Sequence, residues 1–427
     1  MTETARTRPD EGTAEAASET ALAGRSVEEL PLHMQRAGFD PAPELRAIRE
    51  GEGVRKVRTP FGLEAWLVTR WPDVREVLGD ATTFSNAWQP HRRMPGLPGM
   101  PERSPEELAR MRAGNLLAFD PPEHTRLRRM LTPEFTGRRM QRLEPRVRQI
   151  VDQHLDAMAQ AGPPADLVAD FALPVPSLVI CELLGVPYED RAEFQRRSAK
   201  LLDLSRPTDE RLRAGEEQRE YMTSLVARER AHPGDGLLGM LVREHGADLT
   251  TDELVGIANL LLIAGHETTS NMLGLGTLAL MDHPDQLALV RDDPEAIGPA
   301  VEELLRWLSI VHSGTFKSVT RPTEIAGHAI AEGDLVMLSI PAANRDPALV
   351  EDPERLDVRR GALGHVAFGH GVHHCLGAPL ARMEMRIAFP ALLQRFPDLR
   401  PASEDRRFRS FNVVYGMESL PVAWGGA

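Results

Sequence analysis

The chain has 427 residues, 42% of them apolar, enough for a substantial core in one large domain or two fused ones. Its net charge of -13, from 50 cationic and 63 anionic side chains, argues against nucleic acid as the main partner, because phosphate binding wants a basic footprint. The two cysteines, Cys181 and Cys375, lie far apart without paired spacing, which argues against a disulfide framework and for a reducing cytosol.

Residues 1–27 are polar and lack the apolar core of a signal peptide, so they read as a disordered tail. No run approaches the roughly 18 apolar residues of a membrane span. The best candidate, "LLLIAGHETTSNMLGLG", is broken by His266, Glu267 and Asn271, and a cytoplasmic protein without a membrane partner is expected. "VRKVRT" and "EAWLVTR" flank Pro60-Phe61-Gly62 as a hairpin, and "WPDVREVLGD" follows as a short helix. Ser85 to Asn115 is irregular and rich in proline, methionine and arginine, and a loop that long is usually functional.

From Asp120 onward helices dominate, with apolar residues at 3.6-residue spacing through "DPPEHTRLRRMLTPEF" and five further segments to Gly246. In the first, Asp120 is a candidate cap, Pro121 a first helical residue and Glu123 the closing box residue, which sets His124 and Arg128 four apart on one face. Thr250 and Glu253 form a second capping box, opening the longest helix, to about Met281. Another helix covers "PEAIGPAVEELLRWLS", alternation around Gly333 predicts strands, and the chain ends in strands near a turn. With no repeat and no linker, residues 28–427 read as a single domain, mainly α with small β-sheets.

Two stretches carry chemistry. In "AFGHGVHHCLGAPLAR", Cys375 follows Gly369, Gly371 and three histidines and precedes a helix. A zinc site lacks a second, separated ligand pair. A nucleophilic cysteine would need a base and an orienter, and a buried cysteine that only packs is the bland reading. The glycines favour a tight approach to something flat, and the helix N-terminus should lower the thiol pKa, as suits an anionic sulfur ligand to a metal. In "IAGHETTS", Gly265, Glu267 and Thr268 break helix logic, as functional residues do. A zinc-protease pattern fails there because position 270 is Ser, and the dinucleotide fingerprint letters at Gly274 and Gly276 have no preceding strand.

The first stretch resembles the cytochrome P450 ligand loop, Phe-Gly-x-Gly-x-His-x-Cys-x-Gly, with Phe368, Gly369, Gly371, His373, Cys375 and Gly377 in register. The resemblance covers residues 28 to 425 and implies the family's helix-rich triangular prism, a haem b cofactor and Cys375 as proximal iron ligand. It implies that Ala264, Gly265, Glu267 and Thr268 form the oxygen-binding groove and acid-alcohol pair, with a helix distortion at Ala264 and Gly265. His124, Arg128 and His373 would contact haem propionates, and Lys317 stands where an arginine is common. Glu303 and Arg306, completed by Arg355, would brace the loop.

The implied activity is a monooxygenase using O2, with electrons from NAD(P)H through ferredoxin reductase and a ferredoxin docking near Arg126, Arg129, Arg382 and Arg386. The expected substrate is a bulky hydrophobic secondary metabolite such as a macrolide or other polyketide, hydroxylated or epoxidised by a monomer. Expected pocket walls are 85–117, 201–208, Leu261 and Leu262, 311–313 and Val413 to Val414, with Trp88 and His312 as polar handles. A non-catalytic haem protein that senses or carries a gas is the alternative, which the acid-alcohol pair disfavours.

Overall fold

The structure, a computed structural model, describes residues 29–59, 63–87 and 104–425. The expected tail, the hairpin turn at 60–62 and Trp88 lie outside the described residues. In chain order the helices are α1 Pro43–Glu50, α2 Trp71–Gly79, α3 Pro105–Arg112, α4 Glu123–Leu131, α5 Gly137–Ala161, α6 Pro174–Leu184 and α7 Arg191–Leu202. They continue with α8 Thr208–Ala231, α9 Leu237–His245, α10 Thr251–Asp282, α11 Pro284–Asp292, α12 Ile297–Leu308, α13 Ile340–Asn344 and α14 Ala378–Arg395.

Helix α10 runs through the middle of this helical body. Its capping box forms as expected: the Glu253 amide donates to Thr250 Oγ1 at 3.1 Å and the Thr250 amide to the Glu253 carboxylate at 2.7 Å. From Leu254 to Leu280 it is buried on nearly every side, which is why its sequence is apolar all round. Gly265 is needed for packing, because a Cβ there would stand 2.7 Å from Ile180 of α6.

The strands are β1 Arg36–Ala37, β2 Asp40–Pro41, β3 Val54–Arg58, β4 Glu64–Val68, β5 Phe84–Ser85, β6 Ala165–Asp166, β7 Phe316–Val319, β8 Thr323–Ile325, β9 His328–Ile330, β10 Leu335–Leu338, β11 Arg400–Pro401 and β12 Pro421–Ala423. The largest sheet has the order β3-β4-β10-β7-β5. In it β4 and β10 are parallel, with Val336 opposite Trp66, and the other pairings are antiparallel. A separate apolar cluster around Val54, Val68, Val74 and Val336 ties this sheet to α2.

Three expectations change. The stretch read as irregular contains α3, capped by Ser104, whose hydroxyl accepts from the Glu107 amide at 3.2 Å. Helix α4 starts at Glu123 without a side-chain cap, because the Asp120 carboxylate instead accepts from the Asn86 amide at 2.8 Å and from the Ser85 hydroxyl. The C-terminal strands shrink to β11, β12 and isolated bridges such as Phe408 to Met417.

Candidate active site

The loop ahead of α14 is shaped by its glycines. Gly369 and Gly371 have φ of 72° and 69°, and a Cβ on Gly371 would stand 2.6 Å from the Leu78 carbonyl, so the loop is pressed against the end of α2. The Cys375 amide donates to Phe368 O at 2.8 Å and closes the turn. Behind it, the Arg382 guanidinium lies 4.6 Å over the Phe368 ring and forks onto Glu302 of α12 at 2.7 and 2.8 Å. His365 Nε2 is 3.1 Å from the same carboxylate. Burial pushes the Glu302 pKa up, but the hydrogen bonds from Arg382 and His365 outweigh it and hold the group at about 2. Neither Glu302 nor His365 was a sequence candidate.

Above this loop lies a cavity of about 820 Å³. His124, Arg128, Ala264, Glu267, Thr268, Lys317, Phe368, His373, Cys375 and Gly377 all line it, so the fold brings every predicted site residue to one space. Cys375 has exposed surface, and that surface faces this interior cavity. Burial pushes its thiol pKa up, while the Gly377 and Ala378 amides and Arg128 pull it down by less. In the free thiol, the helix-terminus effect expected from sequence is present but smaller than the effect of burial.

Four basic groups converge on one side of the cavity. The His124 and His373 rings sit 4.3 Å apart, and all four of their ring nitrogens are buried without a hydrogen-bond partner among the described residues. Lys317 Nζ donates to Asn86 Oδ1, and burial pulls its pKa down to about 8. His373 is held at about 3 by burial and then by Lys317 and His124. Arg128 makes no side-chain hydrogen bond or ion pair among the described residues, and burial lowers its pKa. Buried donors without acceptors cost free energy, so this cluster is built for an anion the chain does not itself supply. The carboxylates of a haem fit that requirement, and Cys375 on the cavity floor fits its iron.

On the cavity's other wall, α10 runs unbroken through Ala264 and Gly265, where a distortion was expected. The Thr268 hydroxyl donates to Ala264 O at 2.8 Å. Glu267 is only 3% exposed. Burial pushes its pKa up, but His266 and then Arg409 outweigh that and set it below the usual carboxylate range.

The brace differs from the expected triad. Arg306 forks onto Glu303 at 2.8 Å twice and donates to Asn344 O at 2.9 Å and Pro353 O at 2.8 Å, with both residues fully buried. The third member is Arg360, 3.4 Å from Glu303, whereas the Arg355 side chain points to Asp352 and Asp357 near the surface. Of the four arginines expected to dock a partner, Arg126 is held by Glu123 and Glu253 and Arg382 by Glu302. Leu117, Leu201, Leu202, Leu261, Val311, Ser313, Val413 and Val414 line the cavity as expected, while Leu262, Thr208 and His312 do not. His312 is buried behind the wall with Nε2 on Asn412 O at 2.7 Å. Glu384 of α14 lines the cavity unpredicted, its pKa pushed well up by burial.

A helix-rich fold around such a cavity defines a class, the haem monooxygenases. A family model described as Cytochrome P450 matches residues 204–414. The chain is similar to Cytochrome P450 FAS1 of Rhodococcoides fascians, at 49% identity over 93% of this chain and 99% of that protein. Among solved structures it is similar to P450 StaH from glycopeptide antibiotic biosynthesis, at 46% identity over 93% of this chain and 100% of that one, with a TM-score of 0.82. It is also similar to CYP105P1 in complex with filipin I, at 42% identity over 92% and 97% of the two chains, with a TM-score of 0.84. The chain belongs to the cytochrome P450 family and is a P450 monooxygenase, and the family implies a haem cofactor. No helix among the described residues is long and apolar enough to cross a membrane.

Proposed function

We propose that Cys375 ligates the iron of a bound haem b, with His124, Arg128, Lys317 and His373 holding its carboxylates. Ala264, Phe368 and Gly377, which line the same cavity, would pack against the ring and the sulfur. The observation that carries this reading is the His124 and His373 pair, whose four buried ring nitrogens have no partner among the described residues, beside a cavity floored by a cysteine. When bound, the haem supplies dioxygen activation and insertion of one oxygen atom into a C–H or C=C bond.

The protein's own part is proton delivery and exclusion of water. One oxygen atom enters the substrate and the other leaves as water, which takes two protons and two electrons; if proton delivery is misdirected, the same two electrons and two protons leave as hydrogen peroxide. Glu267, whose pKa lies below the usual carboxylate range, takes up a proton at its carboxylate in transit and passes it on, and the Thr268 hydroxyl turns from Ala264 O to donate into the cavity. The electrons come from NAD(P)H through ferredoxin reductase and a ferredoxin, in the cytoplasm, to a monomer. Arg386 and Arg129 are the freer members of the basic docking set.

The substrate class we propose is a bulky hydrophobic secondary metabolite, such as a macrolide or other polyketide. Its support is the large cavity walled by Leu116, Leu117, Ile180, Leu201, Val311 and Val413, together with relatives from antibiotic biosynthesis or bound to filipin I. The test is a titration of haem-loaded protein with a panel of polyketides, followed by displacement of the iron-bound water. Compounds that bind should be oxidised when a surrogate ferredoxin and its reductase are added. Binding without any oxidation would point back to a gas carrier or sensor.

A further inference from the structure

Glu267 faces two cavities. Besides the large one, it lines a small cavity of about 10 Å³, room for about one water, walled also by Ser270, Asn271, Gly274, Arg409 and Met417. Arg409 Nη1 lies 3.6 Å from Glu267 Oε2, and its side chain is 23% exposed, so it leads from the carboxylate to the surface. The segment carrying Arg409 is pinned by its amide, which donates to Gly416 O at 2.8 Å. On the opposite side stands His266, fully buried. Its Nδ1 is 2.6 Å from Leu262 O, and its Nε2 points to Glu267 Oε1 at 3.6 Å, beyond hydrogen-bond reach and without another partner among the described residues. One carboxylate oxygen therefore faces His266 and the other faces Arg409.

We propose that protons reach Glu267 from the Arg409 side through the small cavity, and that Arg409 and His266 are positioning residues that keep the carboxylate facing both cavities. The proposal rests on the reading of Glu267 and Thr268 given above. A water in the small cavity gives a proton to Glu267 Oε2 and is replenished from solvent past Arg409. The carboxyl then releases its proton into the large cavity beside Thr268. The electrons come from the ferredoxin. The charged or titratable groups acting on Glu267 are His266 on its own helix and Arg409 opposite.

Gly274 supplies the test. A Cβ there would meet only Val168 Cγ2, at 3.7 Å, an ordinary contact, so Gly274→Ala places a methyl in the wall of the small cavity without strain. Alanine is also the better helix former by about 1 kcal/mol. Haem-loaded Gly274→Ala should match or exceed the wild-type Tm and keep its reduced carbon monoxide spectrum. During substrate-free reductant oxidation with a surrogate ferredoxin and reductase, its peroxide share of the dioxygen consumed should rise severalfold. In Arg409→Met, the infrared carboxyl band that Glu267→Gln removes should titrate at higher pH than in wild type. A wild-type peroxide share in Gly274→Ala, or an unshifted band in Arg409→Met, overturns the proposed route. If Glu267→Gln itself leaks no extra peroxide, the acid-alcohol reading fails first.

Discussion

Two polar clusters in this protein differ in how their buried groups are satisfied. Around Arg306 all five guanidinium N–H groups find acceptors, the last on Arg355 O at 3.5 Å, and the Glu303 carboxylate takes the Asp357 amide at 3.1 Å as well. Around His124 and His373, four nitrogens find no partner among the described residues. A cluster that closes on itself holds the fold, whereas one left open waits for a partner. The comparison makes opposite predictions for the two: damage to the closed cluster should unfold the chain, and apolar replacement in the open one should stabilise it while weakening the cofactor's hold.

The largest effect is expected at Glu303. Glu303→Ala strands a fully buried guanidinium and should cost about 3–5 kcal/mol, measured by urea unfolding. Lys317 comes next, through pH. The unfolded chain holds that proton to about 10.5 and the folded, haem-free chain only to about 8, so between them the unfolded state binds more protons and stability rises with pH. Lys317→Met should remove that rise and stabilise the haem-free chain by roughly 3 kcal/mol at pH 7, while haem retention falls. His373→Leu removes two orphaned nitrogens and should raise haem-free stability by about 1–3 kcal/mol, with faster haem loss to apomyoglobin. A loss of stability in His373→Leu would break the contrast. Smallest in stability is Thr268→Ala, within about 1 kcal/mol because only the bond to Ala264 O goes. In turnover it should consume reductant yet release hydrogen peroxide instead of product.

Most of the helical frame was legible because its signals are local: the Thr250 box, the apolar period, and Gly369 and Gly371 at positive φ. The signal for α3 was equally local, a Ser104 to Glu107 box, but proline and methionine around it masked the pattern. Long-range pairing was not legible. Arg360 replaces Arg355 beside Glu303 because a turn places its side chain there, which spacing along the chain does not encode. The thiol of Cys375 shows the same limit, since helix position is local but burial is a property of the whole molecule. Gly265, singled out as a break in helix logic, lines the cavity, and it has a packing reason that spacing along the chain does not encode, since the carbon it lacks would collide with Ile180 of the neighbouring helix.

The sulfur ligand is tested most directly by the reduced carbon monoxide spectrum of the haem-loaded protein and of Cys375→Ser. A red-shifted band of the thiolate type in wild type, abolished in Cys375→Ser, is the predicted result. A band at the position seen in imidazole-ligated haem proteins, or one that survives the substitution, would contradict the assignment.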